Sequence, residues 1–244
     1  MSSLTSTVTS KTVGEEQQSS GRVCIPEHCY YAFDTLYCAL TSEQPIPPAF
    51  PDDKYPLFVT WNTQSSRPGR PSHLRGCIGN FEPMPLHDGL AEYALVSAFK
   101  DSRFNKIERR ELESLECSIS LLTDFEYVNS YLDWTIGVHG IYITFPHPSL
   151  LAPSSEAPSP LSSGSIPRIT SKQTFSATYL PEVIPDQGWD KIQAIDSAIH
   201  KAGWRGAISE DLRRSIKLRR YQSQKCTVTW DEYIVWRRNH EPQD

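Results

Sequence analysis

No run of this chain reaches the roughly 20 consecutive apolar residues needed to cross a bilayer, so the sequence implies no membrane-spanning segment. The N-terminus, MSSLTSTVTSKTVGEEQQSSGR, lacks the apolar stretch of a secretory signal. Its two glutamates and shortage of arginine also argue against a mitochondrial signal. There is no Asn-x-Ser/Thr acceptor. The six cysteines (24, 29, 38, 77, 117 and 226) are too widely spaced for a disulfide framework. These absences together imply a reduced protein of the cytoplasm or nucleus. Walker A, G-x-G-x-x-G, H-E-x-x-H and G-x-S-x-G are missing too, which leaves the common nucleotide-fold and hydrolase readings without support. So is an excess of basic charge: 24 Lys/Arg stand against 29 Asp/Glu, a net −5, unlike a globally basic nucleic-acid binder.

What is present is enough apolar material, 38% of 244 residues, to build one domain with a sizeable core. Residues 1 to 22 are Ser/Thr-rich with little to bury and are expected to form a disordered tail. The domain is expected over 23–241, interrupted at 147–171 by a segment with eight Ser and five Pro. Without apolar periodicity, that insertion reads as a disordered surface loop joining two neighbouring strands. Helical spacing marks 26–41, 86–101 and about 189–202, with a short helix at 209–216 and a last one from Thr229, a plausible cap. Strand patterns mark 55–61, 72–81, 115–123, 137–145, 173–180 and 217–229. Helices and strands interleave without a regular βαβ repeat. The expected fold class is therefore α+β, a mostly antiparallel sheet flanked by helices.

The stretch SHLRGCIGNF (72–81) raises the sharpest chemical question. As a strand it would place Leu74 and Ile78 toward the core, with Arg75 and Cys77 together on the opposite face. Gly76 and Gly79 would admit a close neighbour, a ligand or a bulge. A guanidinium beside a thiol favours the thiolate, which would make Cys77 reactive. A packed cysteine beside an arginine that pairs with a carboxylate is the structural alternative.

RGCIG, followed by SAFKDSRF, GVHGI and ATYLPEV…QGWD, resembles the AMMECR family over about residues 24–240. YLDWTIGVHGI and IKLRRYQSQKCTVTWDEY are similar to its eukaryotic branch. The insertion and the N-terminal tail depart from the pattern. The resemblance implies an α+β domain with a smaller lobe, and it implies no defined reaction. Domains of this kind accompany Memo-type and radical-SAM-type domains in some microbes, which hints at a place in an enzymatic or modification pathway.

In the family signature KDSRF (100–104), the resemblance suggests Arg103 as an anion ligand and Asp101 as the group that orients Arg75, since a planar guanidinium suits carboxylate or phosphate. A salt bridge securing the helix end is the alternative. His139, at the parity of Ile141 and Ile143, reads as a histidine on the apolar face of a strand, or as the base of a dyad with Cys77. Glu182 reads as a local cap or as a general base. CIPEHC plus Cys38 is too loosely spaced for a four-ligand zinc site, so no metal and no cofactor is expected.

Two function classes follow. One is a binding or regulatory module for an unidentified protein or a small anionic ligand, with Arg75, Gly76, Gly79, Asp101 and Arg103 around it. The other is a cysteine-dependent enzyme acting on a small anion or modified protein, with Cys77, His139 and Glu182 as its groups. Residues 201–225 hold eight Lys/Arg against two acids, and 213–225 leave nucleic-acid contact as a weaker third reading. The oligomeric state is not legible in the sequence.

Overall fold

The computed structural model describes residues 22–64, 72–147 and 174–240. Apart from their end residues, the expected N-terminal tail and Ser/Pro insertion lie outside these. Elements run in the order α1 (Pro26–Thr41), β1 (Lys54–Thr63), β2 (His73–Pro85), α2 (Leu86–Phe99), a 3-10 turn (Arg109–Ser114), β3 (Leu115–Val128), β4 (Gly140–Pro146), β5 (Thr174–Tyr179), α3 (Val183–Asp186), α4 (Lys191–Lys201), α5 (Glu210–Arg214), β6 (Lys217–Thr229) and α6 (Trp230–His240). The six strands form one antiparallel sheet in the order β2-β1-β3-β6-β4-β5, an α+β fold.

Strand alternation decides what each face of the sheet carries. Leu57, Val59 and Trp61 of β1, Cys117, Ile119 and Leu121 of β3, and Cys226 and Val228 of β6 pack with Phe33, Leu36 and Leu90 from helices α1 and α2. A second core joins Ile141, Ile143, Phe175 and Leu218 to Ala194, Ile195, Ala198 and Ile199 of α4. Leu218 shares the parity of Cys226 and Val228, so both cores draw on one side of β6. Helix α4 starts where Asp190 accepts from the Gln193 amide at 2.8 Å, and α6 where Thr229 and Glu232 cap each other.

The opposite face curls inward. In a flat sheet four strand steps would separate β2 from β4 by about 19 Å. Yet Phe81 of β2 lies 6.0 Å, ring to ring, from Tyr142 of β4 and 5.8 Å from Tyr221 of β6. A register shift in β3 between Thr123 and Glu126, with Asp124 at a left-handed φ of 53°, adds bend where the sheet turns. The curl brings the two sheet edges, β2 and β5, toward each other with a seam between them.

Two expectations are overturned. Leu74 is 42% exposed rather than in the core, because β2 is an edge strand, and Ile78 is half-buried, belongs to neither core and lines the cleft beside Cys77. Gly76 is the buried position: a Cβ there would sit 2.3 Å from the Ser97 carbonyl oxygen of α2. Helix α2 ends at Phe99, which leaves Asp101 and Arg103 in the turn beyond it. No helix among the described residues is long and apolar enough to cross a membrane.

Candidate functional site

The seam holds a cleft of about 520 Å3, within the usual range for small-molecule sites. Phe58 of β1 and Cys77, Ile78 and Phe81 of β2 form one wall. The Lys100–Arg103 turn forms a second, and Thr178, Tyr179, Leu180, Val183 and Lys201 form the far side.

Cys77 is half-buried, whereas the other five cysteines are buried and all six are unpaired. Its register partner Thr60 donates a hydrogen bond from Oγ1 to Sγ at 3.1 Å. Its backbone faces away from β1 and is met by side chains. The Cys77 amide donates to Asp101 Oδ2 at 2.9 Å, and the Cys77 carbonyl accepts from Arg103 Nη2 at 3.1 Å. Asp101 and Arg103 thus occupy the place a next strand would take. They hold each other through two hydrogen bonds, Nε to Oδ1 at 3.0 Å and Nη2 to Oδ2 at 2.7 Å. The Asp101 side chain is 4% exposed and that of Arg103 is 55% exposed. The guanidinium of Arg103 and the amides bonded to the Asp101 carboxylate hold its pKa well below the usual carboxylate range.

Burial pushes the Cys77 thiol pKa up, outweighing the Thr60 hydrogen bond and the nearby Arg103. The thiol therefore remains protonated at neutral pH. Across the seam, Lys201 Nζ donates to the Thr178 carbonyl at 2.9 Å and lies 4.3 Å over the Tyr179 ring. Desolvation and the field of Arg103 both lower its pKa, which places two cations in mutual view. Tyr221 braces this wall through Thr178 Oγ1 at 2.9 Å and the Tyr179 carbonyl at 3.0 Å.

Arg75 is directed elsewhere. Its guanidinium takes Glu111 at 2.7 Å and 3.1 Å and the carbonyls of Asn105 and Lys106 at 2.7 Å and 3.1 Å. It pins the segment between α2 and β3. The partner of Asp101 is Arg103 rather than Arg75. Gly76 and Gly79 shape the wall without lining it: a Cβ on Gly79 would meet the Leu57 carbonyl at 2.2 Å and the Phe58 ring at 2.4 Å. His139 lies in the turn before β4 rather than in the strand, and its Nδ1 accepts from the Thr135 amide at 3.0 Å. No histidine lines the cleft among the described residues. Glu182 stands at the N-cap position of α3 but its side chain caps nothing there; exposed beside Val183, it contributes negative field at Cys77. Among the described residues no grouping of three or more His, Cys, Asp or Glu could hold a metal ion.

Tyr179, Phe58 and Thr60 were not singled out in the sequence reading, and Lys201 entered it only as one of the eight basic residues of 201–225. Thr60 and Phe58 alternate with the core residues of β1, so that pattern carried a signal for them. The basic segment gave no sign that Lys201 faces β2, because only the curl of the sheet brings α4 there.

The family model described as AMMECR1 matches residues 29–226. An uncharacterized protein of Arabidopsis thaliana is 43% identical over 210 residues, covering 86% of this chain and 87% of that one. An uncharacterized protein of Schizosaccharomyces pombe is 34% identical over 219 residues, covering 85% and 94%. The crystal structure of an uncharacterized protein from Pyrococcus horikoshii superposes with a TM-score of 0.57 at 22% identity, over 82% of this chain and 89% of that chain, which shows a shared fold.

Proposed function

This chain belongs to the AMMECR1 family, and from that premise we propose that it is a binding module whose seam cleft takes a small anion carrying an apolar body. One observation carries this reading: Arg103 and Lys201 face a single cleft whose other side chains are largely aromatic and aliphatic. Asp101, the carboxylate there, is already committed to Arg103 and to the Cys77 amide. A protonated Cys77 supplies no counter-charge. An anion would relieve the repulsion between the two cations, and the apolar walls would cover its body.

The six unpaired thiols support a reducing compartment, cytoplasm or nucleus. The alternative of a cysteine-dependent enzyme has less support. It would need a thiolate and a nearby base, whereas burial keeps Cys77 protonated and His139 lies outside the cleft wall.

The test is a backbone NMR titration with benzoate, phenyl phosphate and benzylamine. Saturable shifts at Cys77, Arg103 and Thr178 with the anions, and none with the amine, are expected. Equal responses to the amine, or shifts confined to other surfaces, would remove the proposal.

A further inference from the structure

The groups left free in the seam define the ligand more narrowly. Arg103 commits Nε and Nη2 to Asp101 and the Cys77 carbonyl, while Nη1 makes no hydrogen bond among the described residues. Lys201 gives one proton to the Thr178 carbonyl and keeps two. The cleft therefore offers an anion one anchored cationic donor from each wall. Lys100 is exposed at the rim. Helix α4 meets the cleft at its C-terminal end, through Lys201, where a helix presents carbonyls rather than free amides.

Two cationic side chains on opposite walls match the two oxygens of a carboxylate. A phosphate monoester has three terminal oxygens, and the third would face Phe58, Phe81 or Leu180 unless it reached Ser102 or the exposed Lys100. An extended peptide is also disfavoured. The strand-edge groups it would pair with here, the Cys77 amide and carbonyl and the Thr178 carbonyl, are taken by Asp101, Arg103 and Lys201.

We infer that the seam cleft recognises a small free carboxylic acid with an apolar body, its carboxylate bridging Arg103 Nη1 and Lys201 Nζ. This rests on the anion-site reading above and commits it to one chemical class.

Calorimetric titration tests it with 4-phenylbutyrate, 4-phenylbutyramide, phenyl phosphate and a short peptide ending in phenylalanine with a free carboxylate. Cys77, half-buried in the cleft wall, gives a second readout, since an occupied cleft should slow its alkylation. Saturable binding of 4-phenylbutyrate is expected, at least roughly tenfold tighter than phenyl phosphate, with none for the amide. Lys201→Met should weaken it roughly tenfold and Lys201→Arg should restore most of that, with melting temperatures unchanged. Tighter binding of phenyl phosphate would overturn the carboxylate assignment and leave the anion cleft standing. Tighter binding of the peptide would overturn the free acid. Failure of every anion to bind would remove both the assignment and the proposal beneath it.

Discussion

Replacing Asp101 with alanine should destabilise the domain by about 2–4 kcal/mol, and the origin of that figure can be followed atom by atom. The carboxylate accepts from the Cys77 amide at 2.9 Å and from the Arg103 amide, Nε and Nη2 at 3.1, 3.0 and 2.7 Å. A partly buried Cys77 amide left without its acceptor costs about 1–3 kcal/mol. Loss of the turn-capping bond to the Arg103 amide adds about 1 kcal/mol, by analogy with a helix cap. The ion pair adds less than about 1 kcal/mol, because Arg103 is 55% exposed and water replaces its partner. Asp101→Asn keeps an oxygen for one amide and loses the charge, so it should cost about half as much. Urea denaturation followed by tryptophan fluorescence measures both variants. Equal losses for alanine and asparagine, or an alanine loss under about 0.5 kcal/mol, would refute the view that this carboxylate closes the sheet edge. Acidity gives a second check. The folded-state pKa of Asp101 lies below its unfolded value of about 3.9, so the charge-dependent stability is fully present above that pH. The gap between wild type and Asp101→Asn should hold from neutral pH down to about 4 and shrink below it.

Gly79→Ala should lower the melting temperature markedly, by at least about 2 kcal/mol of stability, since its methyl would meet the Leu57 carbonyl at 2.2 Å. A near-neutral result would show that Phe58 and β1 give way easily. Arg75→Met should cost about 2–3 kcal/mol in urea, with the loss of its four hydrogen bonds to Glu111, Asn105 and Lys106, while anion binding in the cleft is unchanged. Altered anion affinity would bring Arg75 back into the site. Iodoacetamide on the native protein should label Cys77 before the five buried cysteines, with a pH midpoint above that of an unperturbed thiol. Mass spectrometry reads the positions, and a midpoint near neutrality would revive the nucleophile.

Local order was well written into the residues. The Pro26 start of α1, the β-branched run of β1, the Thr229 cap of α6 and the placement of β6 were all legible, because caps and alternation are short-range signals. Leu74 misled because parity tells which side chains share a face, not whether anything covers that face, and β2 is an edge strand. His139 misled because the strand begins one residue later, at Gly140, where a Cβ would meet the Tyr221 ring at 2.4 Å. Around the cleft, Cys77, Asp101 and Arg103 stood out within one short motif region. Lys201 and Tyr179 reach that cleft only through six paired strands and a curl, which no local pattern encodes.

The position of β6 constrains how the molecule is made. It is the last of the six described strands in chain order, yet it lies in the middle of the sheet, between β3 and β4. Without it the sheet is two fragments, β2-β1-β3 and β4-β5, whose apolar faces are deprived of Leu218, Cys226 and Val228. Long-range pairing of this kind forms slowly. Until β6 has been made, the five earlier strands should therefore stay unassembled, with exposed edges that need shielding.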